Sequence, residues 1–407
     1  MNILPPRRPS TDSRFYPFSR LLALSLVASW AIPFSAQADA LFRGNLQRTG
    51  VYSAENTALK GQSFWKHRVG DPKVNSVYGD LILSTPAVAE GMVYFGNQKG
   101  IFYALDSKTG EERWTFKTGA PMRSSPAVVN GTVYFGCHDK NIYALDAWTG
   151  EKKWAYQTGG LVRSSPAVWE KEDYHEVYSR WLLVGSQDGF LYALEPSKGQ
   201  LKWRFKTEGP VFSSPTVSAD TVYFGSLDGN VYAVDIGTGK EKWRFKTGYW
   251  VTATPAILDG TVYIPSWDGN LYALDAATGK KQWDFAMPEM TGRVISASPT
   301  ATKEAVYIGC MGDPRGSGAI FFALDRKAGK PMWQMRVEKG QIEASPIVIG
   351  ELLLVADTVG MRALDRHSGQ ELWKVTIGPR KEIFSSPVFD DGTIFFGDAN
   401  GNMNAVK

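Results

Sequence analysis

The strongest constraint in this 407-residue sequence is a repeat of about forty residues that carries two markers. The first marker is a proline preceded by serine or threonine, and the second is a tryptophan after a turn of the Thr-Gly type. The prolines are Pro86, Pro126, Pro166, Pro215, Pro255, Pro299, Pro346 and Pro387. Their spacings of 40, 40, 49, 40, 44, 47 and 41 residues give seven full units and one that is cut.

Each unit contains four short segments that favour β-structure. In the unit around 214–248 these are "SPTVS", "TVYFGS", "NVYAVD" and "KWRFKT", which are rich in valine, tyrosine and phenylalanine and are separated by turn residues. Asp-Gly at 228–229 joins the second and third segments, and glycine suits a tight hairpin because it tolerates positive φ. Four antiparallel strands every forty residues predict an all-β chain folded as an eight-bladed β-propeller.

The cut unit predicts how the ring closes. The chain ends in "MNAVK" (403–407), which matches the third strand of a unit, so the last blade lacks its fourth strand. "WKHRVG" (65–70) matches a fourth strand, and no first, second or third strand precedes it. We expect the N-terminal strand to complete the C-terminal blade, which removes free sheet edges and ties the two ends together.

The repeated tryptophans are predicted to dock neighbouring blades. Burying one indole removes roughly 150–250 Å² from water, and the turn glycine lets the next backbone approach closely. A structural role fits residues that every unit shares, whereas a functional site needs singular groups. The eight tryptophans are Trp65, Trp114, Trp154, Trp203, Trp243, Trp283, Trp333 and Trp373.

The first forty residues are predicted to be a signal peptide. Four arginines precede the apolar run "LLALSLVASWAIPF" (21–34), and "AQADA" (36–40) offers cleavage after Ala38 or Ala40. An uncleaved membrane anchor is the alternative, although the run is short for a spanning helix. We therefore expect an exported, periplasmic domain over 41–407 without a transmembrane segment after cleavage. The sequence has no cysteine near the cleavage site, so it predicts no lipid anchor there. Whether the protein is tethered to a membrane stays open.

Charge and cysteine content exclude other classes. The formal net charge of the whole chain is only +4, and no basic stripe of the kind that nucleic-acid binding requires is present. Cys137 and Cys310 are the only cysteines, so no disulfide framework exists despite the export signal. They occupy equivalent places on blades predicted to face each other, too far apart for a disulfide, and two buried free thiols are expected.

The motif "ALDxxTGxxxW" at 104–114, 144–154 and 273–283 resembles the tryptophan-docking repeat of quinoprotein dehydrogenases. The same repeat occurs in PQQ-like propellers that bind no quinone, including BamB-type outer-membrane assembly factors. "LFRGNLQRTGVY" (41–52) is similar to the leader that many PQQ-like repeat proteins place before the first blade. The resemblance covers nearly all of 41–407, and it implies the fold more specifically than the function.

The resemblance leaves two functions open. Quinoprotein dehydrogenases typically carry an adjacent Cys-Cys pair and long insertions around calcium and PQQ, which this sequence lacks. No residue matches their cofactor ligands, so we expect no cofactor and no catalytic residue. The BamB-type resemblance implies a non-catalytic scaffold that binds an envelope protein, with the β-barrel assembly machinery as a candidate partner. A PQQ-dependent oxidoreductase with calcium, or a small-ligand sensor, remains the alternative.

Residues that break the repeat are the candidates for function. Three positions before each marker proline stand Leu83, Arg123, Arg163, Phe212, Thr252, Ser296, Glu343 and Phe384. This position is expected to begin the innermost strand and to line the channel mouth. Arg123 and Arg163 fall on adjacent blades with Glu343 across the ring, so they could hold an anionic ligand or a partner's acidic side chain. Solvated or mutually paired channel residues are the alternative.

Other singular features carry weaker signals. The four histidines, His67, His138, His175 and His367, lie in different units without the spacing of metal ligands, so no metal site is predicted. Four segments deviate in length and are candidates for recognition or tolerated insertions. They are 73–83, 170–181, 286–294 and the glycine-rich "MGDPRGSG" at 311–318.

Overall fold

The computed structural model describes nine stretches of the chain. They are residues 41–53, 59–70, 80–171, 179–287, 297–313, 318–337, 342–357, 360–377 and 382–407. The predicted signal peptide therefore lies outside the described residues, as do Ser296, His175 and parts of all four length-variant segments. Within the described part, every regular element is a β-strand, and no helix is long and apolar enough to cross a membrane.

Eight sheets of four antiparallel strands confirm the predicted eight-bladed propeller. Blade 1 contains β3 (Ala87–Ala89), β4 (Met92–Gly96), β5 (Ile101–Asp106) and β6 (Glu112–Lys117). Blade 2 contains β7 (Ala127–Val129), β8 (Thr132–Gly136), β9 (Asn141–Asp146) and β10 (Lys152–Gln157). Blade 3 contains β11 (Ala167–Lys171), β12 (Ser179–Gly185), β13 (Phe190–Leu194) and β14 (Leu201–Lys206). Blade 4 contains β15 (Thr216–Ser218), β16 (Thr221–Gly225), β17 (Asn230–Asp235) and β18 (Glu241–Lys246).

The remaining blades follow the same order. Blade 5 contains β19 (Ala256–Leu258), β20 (Thr261–Pro265), β21 (Asn270–Asp275) and β22 (Lys281–Ala286). Blade 6 contains β23 (Thr300–Ala301), β24 (Ala305–Asp313), β25 (Gly318–Asp325) and β26 (Pro331–Val337). Blade 7 contains β27 (Ile347–Ile349), β28 (Leu352–Asp357), β29 (Gly360–Asp365) and β30 (Glu371–Val375), and β1 (Val51–Tyr52) adds to it in parallel beside β27. Blade 8 contains β31 (Val388–Asp390), β32 (Thr393–Gly397) and β33 (Asn402–Val406).

The ring closes as predicted, because β2 (Ser63–Arg68) is the outer strand of blade 8. It pairs antiparallel with β33, and Trp65 lies opposite Ala405. The innermost strands β31 and β3, at opposite ends of the sequence, are also in contact. The two ends of the chain therefore hold each other through a sheet, which gives blade 8 the same four strands as the other blades.

The apolar core is divided into eight clusters that each join two neighbouring blades. In the cluster between blades 1 and 2, Phe102 stacks on Phe135 with ring centroids 4.3 Å apart. The middle strands of each blade supply most of these buried side chains, whereas the outer strand alternates between exposed and half-buried positions. Stability is therefore distributed around the ring, with each blade depending on both neighbours.

The repeated tryptophans lie at these blade junctions. Trp114 donates an indole N–H···O bond of 3.0 Å to Ala147 O on the next blade, and Trp243 makes the equivalent 2.9 Å bond to Ala276 O. A Cβ atom on Gly150 would lie 2.6 Å from the Trp114 ring, so only glycine fits at φ 72°. At the closing junction Gly61 takes this place against Trp373.

The serine or threonine before each marker proline forms a belt of hydrogen bonds around the channel. The backbone N–H of Thr85 donates to Ser125 Oγ at 3.0 Å, and the N–H of Ser125 donates to Ser165 Oγ at 3.0 Å. The same step recurs from Ser298 to Ser345 and from Ser345 to Ser386, at 2.9 Å each. Bonds of this kind join neighbouring links at seven of the eight blade junctions, at buried positions, which explains the Ser/Thr-Pro repeat in physical terms.

Candidate functional site

The leader "LFRGNLQRTGVY" runs across the central channel and bonds to the innermost strands. Val217 of blade 4 donates its N–H to Leu46 O at 2.9 Å, and Ile257 of blade 5 donates to Gln47 O at 2.9 Å. Blades 6 and 7 make the same bond to the leader, at 3.0 and 2.9 Å. These bonds satisfy backbone N–H groups that face the channel in the innermost strands of blades 4 to 7.

Two arginines of the leader are buried in the channel. Arg43 is 1% exposed and donates to Pro299 O at 2.6 Å and to Thr300 Oγ1 at 2.7 Å. Arg48 is 0% exposed and donates to Pro166 O at 2.8 Å and to Phe42 O at 2.6 Å. Burial lowers the pKa of Arg43 to about 10 and that of Arg48 to about 9, where the neighbouring Arg43 charge adds to the effect.

A cavity lies on one side of the leader. On the side of the turns between first and second strands, a cavity of about 640 Å³ lies between the leader and blades 4 to 7. Its charged rim is internally paired, since Arg366 bonds Glu304 at 3.2 Å and Glu351 at 3.1 Å. On the other side lies the mouth predicted from sequence, which is formed by the links between blades.

The structure places the predicted mouth residues in these links rather than in strands. Arg123 lies four residues before β7 begins at Ala127, so the expectation that this position starts the innermost strand was wrong. The backbone before each marker proline is extended but is bonded by the hydroxyl belt instead of a sheet ladder, since proline has no N–H to give. Arg123 is exposed, whereas Arg163, Phe212 and Thr252 are half-buried.

A second set of mouth residues comes from the hairpins between second and third strands, and the sequence analysis missed it. The N–H of His138 donates to Pro121 O at 3.1 Å, and the N–H of Trp267 donates to Trp250 O at 2.9 Å. Each hairpin therefore lies against the link that enters its own blade. The equivalent residues on other blades are Gln98, Gln187, Leu227 and Ala399. These hairpin residues could have been found from their fixed position in the repeat. Each second strand ends in "VYFG" or its equivalent, a buried small polar residue or cysteine follows, and the mouth residue comes next.

The two predicted arginines and His138 share one electrostatic environment. Burial, together with the charges of Arg163 and Arg123, lowers the pKa of His138 to about 4, so this imidazole is neutral at physiological pH. The pKa of Arg163 is also lowered, by burial and by the charge of Arg123. Arg163 Nε and His138 Nε2 are buried without a hydrogen-bond partner among the described residues. The Arg163 guanidinium lies 4.8 Å from the ring centroid of Phe212.

Glu343 lies within electrostatic range of Arg123. Surrounding protein atoms raise the pKa of Glu343, the charge of Arg123 opposes that shift and the charge of Glu382 reinforces it. Both glutamates are exposed to water in the mouth. No ion pair joins Glu343 to either arginine in the described part of the chain, so the mouth carries separated charges of opposite sign.

An aromatic stack extends from the mouth onto the surface beside blade 5. Trp267 donates its indole N–H to Thr252 Oγ1 at 2.7 Å, and its ring lies 5.0 Å from that of Trp250. Tyr249 continues the stack at 4.9 Å from Trp250. Tyr249 is 50% exposed and Trp250 is 37% exposed, although the equivalent link positions on blades 2 and 3 are Ala120-Pro121 and Gly160-Leu161.

The remaining candidates behave as ordinary structure. Cys137 and Cys310 are buried free thiols, and burial raises the pKa of Cys137 to about 11. The Cys137 thiol lies 3.2 Å from Ala120 O, in the link before its own blade. Among the described residues, no three histidine, cysteine, aspartate or glutamate side chains are close enough to hold a metal ion.

Comparison with solved structures finds the same architecture in proteins of different function. BamB from Moraxella catarrhalis is 18% identical with a TM-score of 0.65, over 85% of this chain and 99% of that one. A quinohemoprotein alcohol dehydrogenase from Pseudomonas putida HK5 is 15% identical with a TM-score of 0.73, over 91% and 80%. A europium-containing methanol dehydrogenase is 14% identical with a TM-score of 0.73, over 89% of each chain. At these identities the likeness shows the fold alone.

Sequence comparison is more specific. No curated protein sequence matches this chain. The family model described as "Outer membrane protein assembly factor BamB" matches residues 50–173, 173–309, 218–338 and 315–407, which together span all eight blades. The chain therefore belongs to the BamB-like family of eight-bladed propellers, as the "ALDxxTGxxxW" motif indicated.

Proposed function

We propose that this protein is a non-catalytic, exported scaffold that binds another protein of the cell envelope, in the assembly of outer-membrane proteins. Its place of action is the periplasm, after removal of residues 1–40. In this proposal the propeller needs no PQQ, calcium or other cofactor. Membership of the BamB-like family supports the process, and the mouth face supports the mode of action.

The observation that carries the proposal is the exposed stack of Tyr249, Trp250 and Trp267. A repeat protein repeats its packing residues, and these three aromatics stand at positions where blades 2 and 3 carry no aromatic ring of this size, such as Ala120-Pro121 and Gly160-Leu161. Tyrosine and tryptophan are enriched in the energetic centres of protein interfaces because they bury much area at little conformational cost. The bonds from Trp267 to Trp250 O and to Thr252 Oγ1 fix the stack in place before a partner binds.

Photocrosslinking in the native cell envelope tests the proposal. A photoreactive amino acid replaces Tyr249 in one variant and Trp148 in another. Trp148 is a matched control because it is also aromatic and 56% exposed, but it lies in a turn on the opposite face of blade 2. We expect a specific crosslinked protein from position 249 and not from 148. Recovery of a component of the β-barrel assembly machinery supports the named process, and no specific product from position 249 contradicts a scaffold.

The rival function, a PQQ-dependent dehydrogenase, has its own test. The purified protein is mixed with PQQ and Ca²⁺, freed of unbound quinone and examined by absorbance spectroscopy. The non-catalytic proposal predicts that no quinone absorbance remains with the protein. Retained quinone together with oxidation of an alcohol would overturn it.

A further inference from the structure

The leader buries two positive charges without a negative one beside them. Arg43 and Arg48 are fully buried, and their guanidinium groups donate only to carbonyl and hydroxyl oxygens. The charge of Arg43 lowers the pKa of Arg48, so the two cations are close enough to repel each other. No carboxylate of the described residues acts on either arginine. Buried charges are normally paired, because removing an ion from water is costly, so a counter-charge is missing here.

Two buried hydrogen-bond donors of the leader are unused. Arg43 donates from Nη2 to Pro299 O at 2.6 Å and to Thr300 Oγ1 at 2.7 Å. Its other terminal nitrogen, Nη1, is buried and has no partner among the described residues. The hydroxyl of Tyr52 is also buried and has no partner in the same part of the chain. Because buried polar atoms are satisfied in the great majority of cases, both donors indicate a group that the polypeptide does not supply.

The fold of the leader brings these two side chains together. Gly50 donates its N–H to Arg43 O at 3.3 Å, so the segment that ends in Tyr52 lies beside the segment that contains Arg43. A Cβ atom on Gly44 would lie 3.5 Å from Tyr52 Oη. A Cβ atom on Gly50 would lie 2.5 Å from Arg43 Nη2. Both donors therefore lie beside positions that the two glycines keep free of side chains.

The chemistry of this place favours an anion, and its burial favours a small one. A guanidinium N–H and a phenol O–H both donate, and a water molecule between them would leave the two buried charges without compensation. The unused donor atoms are closed to bulk solvent, which excludes organic acids and phosphate esters. Tyr52 also lines the cavity of about 640 Å³, so the site adjoins a space from which an ion can arrive.

We propose that the leader binds a monovalent inorganic anion of the size of chloride. Arg43 Nη1 and Tyr52 Oη donate hydrogen bonds to the ion, and the nearby charge of Arg48 strengthens its attraction. The ion supplies the missing counter-charge and joins the two segments of the leader inside the ring. The inference does not depend on the partner binding proposed above, because the site involves neither the mouth nor the aromatic stack.

Unfolding in two salts tests the proposal on the purified protein. Urea midpoints are measured in sodium chloride and in sodium gluconate at equal concentrations, because gluconate keeps the ionic strength but is too large for a buried site. A site that is half filled at about 10 mM chloride raises the folding equilibrium constant about tenfold at about 100 mM. We expect the urea midpoint to rise with chloride over this range and to lie lower in gluconate.

Tyr52→Phe removes only the hydroxyl from the proposed site. Without a bound ion this oxygen has no partner to lose, so the variant should match the wild type in gluconate. In chloride we expect the variant to be less stable than the wild type and to lose most of the chloride dependence. Tyr223→Phe is the matched control, because it removes another buried tyrosine hydroxyl, which donates to Ala276 O at 3.0 Å. We expect its loss of stability to be the same in both salts.

Anomalous scattering from bromide locates the ion directly. In crystals grown with sodium bromide, we expect a peak within hydrogen-bonding distance of both Arg43 Nη1 and Tyr52 Oη. The absence of this peak, or equal urea midpoints in the two salts, overturns the proposal. A peak without any chloride dependence of stability means an adventitious ion only. Equal destabilisation of Tyr52→Phe in both salts also overturns it, because the hydroxyl then bonds water or protein instead.

Discussion

The backbone N–H of Ser386, in the link before the last blade, donates a hydrogen bond of 3.2 Å to Thr85 Oγ1, in the link before the first. The two residues are 301 positions apart in sequence. The chain runs from β2 of blade 8 directly on to blade 1, so this bond joins the C-terminal strands of blade 8 to the N-terminal part of the chain. Together with the β2–β33 pairing it makes the ring continuous.

Thr85→Val is expected to weaken this closing step. The substitution keeps the shape of the side chain and leaves the buried Ser386 N–H without an acceptor, which costs about 1–3 kcal/mol of unfolding free energy. Ser125→Ala is the control, because it removes the same kind of acceptor between the consecutive blades 1 and 2. Hydrogen exchange should accelerate in β2 and β33 only for Thr85→Val. Equal exchange in the two variants would show that the junction is no weaker than other steps.

Gly150→Ala is expected to push Trp114 out of its docking position. The new Cβ would lie 2.6 Å from the indole, so the cost combines positive-φ strain with a steric clash. Gly131→Ala separates the two terms, since Gly131 also has positive φ, at 64°, but nothing lies within 4 Å of its Cβ position. We expect about 1–2 kcal/mol for Gly131→Ala and about 1–3 kcal/mol more for Gly150→Ala. Urea unfolding measures both, and equal losses would contradict the docking role.

His138 is expected to stay neutral down to about pH 4. Its pKa in the folded protein lies below the ordinary value of 6.5, so the unfolded chain binds more protons between these values and stability falls as the pH drops from about 6.5 to 4. Nuclear magnetic resonance of the imidazole Cε1–H follows the titration. Arg163→Gln should raise the pKa of His138, because a nearby positive charge is removed. An unchanged titration in that variant would place Arg163 away from His138.

Alkaline conditions are expected to destabilise the propeller between about pH 10 and 12. Burial raises the pKa of Tyr103 and Tyr134 from 10 to about 12, so their contribution is present below pH 10 and is lost as the pH rises through 12. The lowered pKa values of Arg43 and Arg48 act with the opposite sign, but the raised tyrosines outnumber them. Urea midpoints across this range measure the effect, and Tyr134→Phe should reduce the slope. A flat profile would contradict the predicted burial.

Arg48→Met is expected to release the leader from the channel. The side chain of Arg48 bonds carbonyls of the leader and of the links before blades 3 and 4, and removing it leaves those buried acceptors unpaired. We expect a loss of about 1–3 kcal/mol for a buried carbonyl left without a donor and new protease cleavage within residues 41–53. Gln47→Ala is the control, because Gln47 contributes its backbone carbonyl to the bond with Ile257. Cleavage in both variants, or in neither, would contradict the role of Arg48.

The repeat made most of the fold predictable. The marker prolines and tryptophans fixed the number of blades, and "MNAVK" with "WKHRVG" identified the shared blade correctly, because both depend on local patterns that each unit repeats. The same logic predicted Arg123, Arg163 and Glu343 as mouth residues. Their position in a link, rather than in a strand, depends on hydrogen bonds from the hydroxyl belt, which connects residues about forty positions apart.

Two parts of the site could not be predicted from the sequence. The leader contains no strand periodicity, and its path is set by carbonyls and N–H groups that face the channel only after eight blades have assembled. Trp267 and His138 are single departures within otherwise regular hairpins, and nothing in their own units shows that hairpins and links meet at the mouth. In both cases the information lies in contacts between units.

The buried leader also has a consequence for what the protein can do with whatever it binds. An open ring could serve as a conduit, passing a molecule from one side to the other, but the leader of this protein lies inside the ring, where Arg43 and Arg48 are buried and bonded to the innermost parts of the blades. A molecule that binds at the mouth therefore meets the leader before it can cross the ring. The mouth would therefore hold a bound molecule rather than pass it on, and the rate of its release would depend on the strength of its contacts with the mouth residues.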